Sequence, residues 1–202
     1  MKRLITGFVI YCCFSLLAQS QTNEKFVIRW NDGSVVFKTG DTLMCKLRYN
    51  HAASCGILQV LENEIPVTVS PLDVASFSFY DERKQRLRRF SSLAIGQLEE
   101  KGQFFFVENI YSDHRFSIVN HRTMDVPNGY MNYTRLISKP VPMSKKFILD
   151  ATTGQLLPLS KENAIRLLEN RRNEVMSYIQ NNHLKFKKTA DYIHLFEYHS
   201  SL

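Results

Sequence analysis

The sequence predicts an α+β fold: an antiparallel β-meander, folded as a sandwich or a partly open barrel, followed by a C-terminal helical hairpin. Three observations predict it. Residues 42–49 alternate strictly, with Leu43, Cys45, Leu47 and Tyr49 on one face and Thr42, Met44, Lys46 and Arg48 on the other, the pattern of a half-buried strand. Further apolar runs of strand length recur between turn-forming residues up to Leu149. From Ser160 onward the apolar spacing changes to that of a helix, so helices follow strands along the chain.

The elements follow in order. Residues 35–38 read as a strand that ends at Thr39-Gly40-Asp41, a tight-turn composition. After 42–49 come strands at 56–62 and 65–70, divided by Asn63-Glu64. Pro66 lacks an amide donor and belongs at a sheet edge or a strand start. Residues 75–81 alternate again, and 104–111 and 115–120 flank the turn Ser112-Asp113-His114. Phe104 and Phe106 share one face while Phe105 takes the other, so this strand is expected to be buried on both sides. "KKFILD" and "GQLLPL" bracket a turn at Ala151-Thr152-Thr153.

In the C-terminal segment, Ala164, Ile165, Leu167, Leu168, Val175, Met176, Tyr178 and Ile179 fall at helical spacing, with Ser160 as N-cap. One helix, or two with a break near Asn170, satisfies the pattern equally. A second helical segment follows, with Thr189 as cap and Tyr192, Ile193 and Phe196 inward. The organisation expected is a signal peptide over 1–20, an antiparallel β domain over 21–158 and a helical segment over 159–202 packed on the sheet.

The N-terminus sets the compartment. Met1-Lys2-Arg3 is a basic start, residues 4–18 are uncharged and mostly apolar, and "QSQTNEK" is polar. This is the three-part layout of a secretory signal peptide. Ala18 and Ser20 make a small-x-small site, so the mature chain is expected to begin at Gln21, with a cut after Ala18 as the alternative. An uncleaved anchor is the competitor, but the apolar run is short against the roughly 20 residues a bilayer requires. Lipidation at Cys12 or Cys13 is disfavoured, because Tyr11 precedes Cys12 and the apolar run continues beyond Cys13. Export places the protein in the periplasm, on the outer-membrane surface or in the medium. Cleavage removes Lys2 and Arg3 from a formal net charge of +7, and the remainder stays basic.

Gly40-Asp41-Thr42-Leu43, then Ser70-Pro71-Leu72-Asp73-Val74-Ala75-Ser76-Phe77, and the later "LLPLSKEN" resemble a group of secreted or envelope proteins of Bacteroidetes-type bacteria. The group has a GDTL strand and an SPxDVxxF turn. The likeness spans most of the mature chain and implies an envelope location. It implies no activity. Cys45 stands where the group has glycine, so the cysteine pair is not a feature of the resemblance.

The residues that could carry chemistry are few. Cys45 and Cys55 are read first as a disulfide, because an exported chain with one mature pair meets an oxidising compartment. Two unpaired thiols are the alternative, since the facing of Cys55 is ambiguous. No C-x-x-C motif supports a redox site. The six histidines show no zinc spacing: His194 and His199 are five apart and diverge around a helix. They read as solvated groups on turns and helix ends. There is no G-x-S-x-G, no H-E-x-x-H and no phosphate-cradling glycine loop. No catalytic residue, cofactor or metal is therefore assigned.

Arg83, Arg86, Arg88 and Arg89 are the candidate contact for an anionic surface, with Lys185, Lys187 and Lys188 as a second basic concentration. In an envelope the partners would be acidic headgroups, acidic polysaccharide or another envelope protein, and not nucleic acid. The competing reading is an exposed strand whose charges protect a sheet edge. The function expected is a non-enzymatic interaction or structural module. The alternative is a binder of a small apolar ligand, with Phe77, Phe79, Phe104 and Phe106 lining a pocket in a curled sheet.

Overall fold

The computed structural model describes residues 29–50, 56–94, 104–125 and 141–202. The expected signal peptide lies outside them. Among the described residues the strands are β1 (Asn31–Phe37), β2 (Thr42–Asn50), β3 (Ile57–Glu62), β4 (Ile65–Val69) and β5 (Val74–Asp81), then β6 (Arg86–Ala94), β7 (Phe104–Ser112), β8 (Phe116–Asp125), β9 (Val141–Asp150) and β10 (Leu156–Pro158). They form one antiparallel sheet in the order β10-β9-β8-β7-β6-β5-β1-β2-β3-β4. Three helices follow: α1 (Lys161–Leu167), α2 (Arg172–Asn181) and α3 (Thr189–Ser200).

The sheet departs from the expected meander at one point: β1 is central and pairs with both β2 and β5. The cause is visible in the β4–β5 connection. The amides of Asp73 and Val74 both donate to the Ser70 carbonyl, so β5 begins one turn after β4 ends. Yet β1, β2 and β3 lie between these strands in the sheet, which in a flat sheet would separate them by about 19 Å. The sheet must curl, and it does so without closing. The Lys38 amide donates to the Asp73 carbonyl, tying the Gly40-Asp41 turn to the Ser70-Pro71 turn. The two short motifs that carry the sequence resemblance thus meet in space as parts of the curl.

Curling brings the inner faces of distant strands together. Tyr49 of β2 packs its ring against Phe77, Phe90 and Phe106, with centroids 4.9–5.9 Å apart, although β7 lies four strands away in sheet order. Phe77 and Phe90 stack at 4.6 Å. Val35, Leu47, Leu58, Val60 and Val74 complete this cluster. Gly33 sits where a Cβ would overlap the Ser78 carbonyl oxygen, so the close β1–β5 approach demands glycine there. Strand β7 is buried on both faces, Phe106 entering the curled core and Phe105 and Val107 a separate cluster with Val119.

The helices cover the other end of the inner face. Phe116, Ile118 and Ile148 from β8 and β9 pack against Ala164, Leu168, Val175, Ile179, Leu195 and Phe196. Ser160 caps α1, accepting from the Asn163 amide at 3.2 Å. The expected hairpin is instead three helices. Helical geometry ends at Leu168 (φ −107, ψ 21), and a 3₁₀ turn, Glu169–Arg171, precedes α2, near the break anticipated at Asn170. Lys188, not Thr189, is the extended N-cap residue of α3. Stacked rings of Tyr178 and Tyr198, 4.0 Å apart, join α2 to α3. No helix among the described residues is long and apolar enough to cross a membrane.

Candidate functional site

Alternation along β6 turns Arg86, Arg88 and Phe90 toward the inner face, and register places Phe90 opposite Glu108 of β7. Glu108 is 3% exposed and draws three guanidinium groups. Arg88 grips it with both arms of its fork, Nε to Oε1 and Nη2 to Oε2, each 2.9 Å. Arg86 Nη2 donates to Oε1 at 2.6 Å, and Arg122 Nη2 lies 3.5 Å from Oε2. Arg88 also reaches Asp81 at 3.3 Å and lies over the Phe79 and Phe90 rings, so the curled aromatic core supplies its floor. Burial works against the Glu108 charge, but the hydrogen bonds from Arg88 and the charges of Arg88, Arg122 and Arg86 outweigh it and hold the carboxyl below its ordinary value.

The next strands carry the polar row onward. Asn120 of β8 lies opposite Glu108, and in β9 Lys146 lies opposite Asn120 and Ser144 opposite Arg122. Ser144 Oγ donates to Asn120 Oδ1 at 2.6 Å. Lys146 Nζ donates to Thr189 Oγ1 at 2.6 Å, tying the sheet to the first turn of α3. There a cleft of about 630 Å³ opens, lined by Ser144, Lys146, Lys187, Lys188, Thr189 and Tyr192 with an apolar wall of Leu159 and Phe186. The loop before α3 carries Lys187 and Lys188, both exposed, to the rim of this cleft. His183 (φ 52) is left-handed because it ends α2 in a Schellman cap, its amide donating to the Gln180 carbonyl and that of Leu184 to the Ile179 carbonyl, and Phe186 (φ 57) is left-handed as well. Phe186 is held by the edge of Tyr192 at 5.0 Å, and Tyr192 Oη donates to the Phe186 carbonyl at 3.4 Å. The Tyr192 phenol is pushed up by burial and then by the charges of Glu162 and Asp191.

The two charged assemblies differ in balance. Arg86, Arg88 and Arg122 are spent on Glu108, whereas among the described residues Lys146, Lys187 and Lys188 have no carboxylate within ion-pair distance. The expected anionic contact of Arg83, Arg86, Arg88 and Arg89 therefore does not form one surface. Arg83 sits in the exposed β5–β6 turn, and Arg89 is exposed on the face opposite Arg88. A two-residue period separates neighbours in a strand, which a run of basic residues in sequence conceals. Sequence reasoning did not single out Glu108, Arg122 or Lys146. A signal existed for Glu108: an acid in "FFFVENIY", in phase with Phe106 on a two-sided apolar strand, needs buried partners.

Cys45 is a free, half-buried thiol on the inner face of β2, opposite Gly33, and burial pushes its pKa up. Cys55, its expected partner, lies outside the described residues. Two histidines are not simply solvated. His121 packs edge-on against Phe105 and His199 against Phe116, and burial holds both below the ordinary imidazole range, helped by Lys145 for the first and chiefly Arg115 for the second. Among the described residues no three His, Cys, Asp or Glu side chains are grouped to hold a metal. No protein-family model, curated protein or solved structure matches this chain.

Proposed function

We propose that this chain is an exported, non-enzymatic module of a bacterial envelope that engages an anionic surface through the lysine-lined cleft between β9 and α3. The observation that carries the reading is the convergence of Lys146, Lys187 and Lys188 on one recess, without a paired carboxylate among the described residues. Unneutralised cations around a concavity attract anions and raise their local concentration. The arginine cluster has the opposite character. Its arginines all reach the buried Glu108, Arg88 from inside the fold and Arg86 and Arg122 from its partly exposed edge, which makes it a clamp between β6, β7 and β8.

Export is supported by the basic start and apolar run of residues 1–18, and an envelope location by the resemblance of the Gly40-Asp41-Thr42-Leu43 and Ser70–Phe77 segments. The apolar-ligand reading has less support. Phe77, Phe79 and Phe106 fill the curl by packing on one another and on Tyr49, while Phe104 is covered by Lys38.

The test is retention on the envelope fraction of the native host. Lys187→Glu/Lys188→Glu is expected to release the protein at low salt, and added salt is expected to release the unmodified protein. Undiminished retention of the variant at low salt would refute the role of the cleft.

A further inference from the structure

We infer that the cleft receives the phosphate monoester of a hydroxyl-bearing ligand the size of a small molecule. This rests on the cationic-cleft reading above and narrows it to a chemical class. The hydrogen-bond inventory decides it. Lys146, Lys187 and Lys188 are donors only. Thr189 Oγ1 already accepts from Lys146, so its own proton is free for an acceptor on the ligand. One end of the cleft is therefore rich in donors and positive charge. A phosphate monoester matches it with three acceptor oxygens and a charge of about −1.5 to −2, where a carboxylate brings only one charge.

The other groups specify what the phosphate is attached to. Ser144 Oγ spends its proton on Asn120, so it accepts, and an accepting oxygen suits a ligand hydroxyl. Tyr192 Oη likewise spends its proton on the Phe186 carbonyl. Leu159 and Phe186 offer apolar surface to the C–H face of the body. At about 630 Å³ the open recess has room for more than a bare ion. The lysines act as point charges rather than planar forks, so recognition of the phosphate depends little on its orientation. A sugar phosphate, free or carried on a lipid or polymer, has this chemistry.

The exported full chain is titrated with glucose 1-phosphate, with glucose, and with phosphatidylcholine vesicles with and without phosphatidic acid. Backbone amide shifts and calorimetry are the readouts. Glucose 1-phosphate is expected to move the amides of residues 186–189, and glucose is not. Lys187→Gln/Lys188→Gln and, separately, Thr189→Val are each expected to weaken binding about tenfold or more. Arg83→Glu/Arg89→Glu, remote in the fold but a larger charge change, is expected to leave it unaltered. Binding to glucose 1-phosphate but not to phosphatidic acid vesicles would assign the monoester to a free or polymer-borne sugar, and binding to both would extend it to a lipid-borne phosphate. Binding to phosphatidic acid alone, whose acylated glycerol bears no hydroxyl, would overturn the hydroxyl-bearing body. Equal response to glucose, equal weakening by the Arg83/Arg89 variant, or silence toward both phosphates overturns the inference. If envelope retention still depends on Lys187 and Lys188 in that last case, the broader reading survives and only the phosphate class falls.

Discussion

Replacing Glu108 by glutamine tests whether the arginine cluster is a structural clamp. The substitution keeps the shape of the side chain and removes its charge, leaving Arg88, 10% exposed at its side chain, without its main counter-ion. Removing one member of a buried pair costs about 3–5 kcal/mol, because the other charge stays desolvated. Arg86 and Arg122 are 49% and 34% exposed and add little, since water already screens them. For a chain of this size 1 kcal/mol moves Tm by about 2–4 °C, so Glu108→Gln is expected to lower Tm by about 6–20 °C. Circular dichroism melts at neutral pH of the native protein, Glu108→Gln, Arg88→Met and the double variant measure both the loss and the coupling. The double variant should be more stable than the sum of the single losses predicts. A Tm within about 2 °C of native for Glu108→Gln, or strict additivity, would refute the clamp.

The same pair sets an acid limit. The Glu108 carboxyl is held below its ordinary 4.5 in the fold, so its contribution is complete above that pH and is lost as pH falls through the folded-state value. The Tm gap between native and Glu108→Gln should therefore shrink below about pH 4.5, and a widening gap would contradict the assignment. Cys45 should alkylate without prior reduction, slowly because it is half-buried. Asn50 pairs with Ile57, and Cys45 lies five residues back along β2, about 17 Å at the rise of a strand. A bridge tolerates about 7 Å between Cα atoms, and Cys55 is only two residues before Ile57. A strict requirement for reductant would restore the staple. Gly33→Ala should destabilise by about 1–3 kcal/mol or more through its clash with the Ser78 carbonyl, whereas Gly154→Ala meets no neighbour within 4 Å and carries only its left-handed φ strain. Urea melts separate the two.

Much of the local structure is legible in the chain because its signals are local. The alternation of Leu43, Cys45, Leu47 and Tyr49 places them on the inner face of β2, where Leu47 is fully buried. Phe104, Phe105 and Phe106 announce a strand covered on both sides, and Ser160 announces the start of α1. These follow from the two-residue and 3.6-residue periods and from capping chemistry, each a matter of a few neighbouring residues.

The site had no such signature. Its lysines come from β9 and from the loop before α3, 41 residues apart between Lys146 and Lys187, and the hydroxyl that holds Lys146 comes from Thr189. Arg83, Arg86, Arg88 and Arg89 read as one basic run, yet their separation between turn, inner face and outer face, and the claim of Glu108 on two of them, follow from pairing with a strand 20 residues away from Arg88. The chain alone determines which side of each strand a residue takes. Which strands become neighbours is decided by the curl that the short β4–β5 turn enforces and by the helices that close on β8 and β9. That choice, made by long-range packing, is what turns scattered charges into an ion-paired clamp around Glu108 and an open, positively charged cleft.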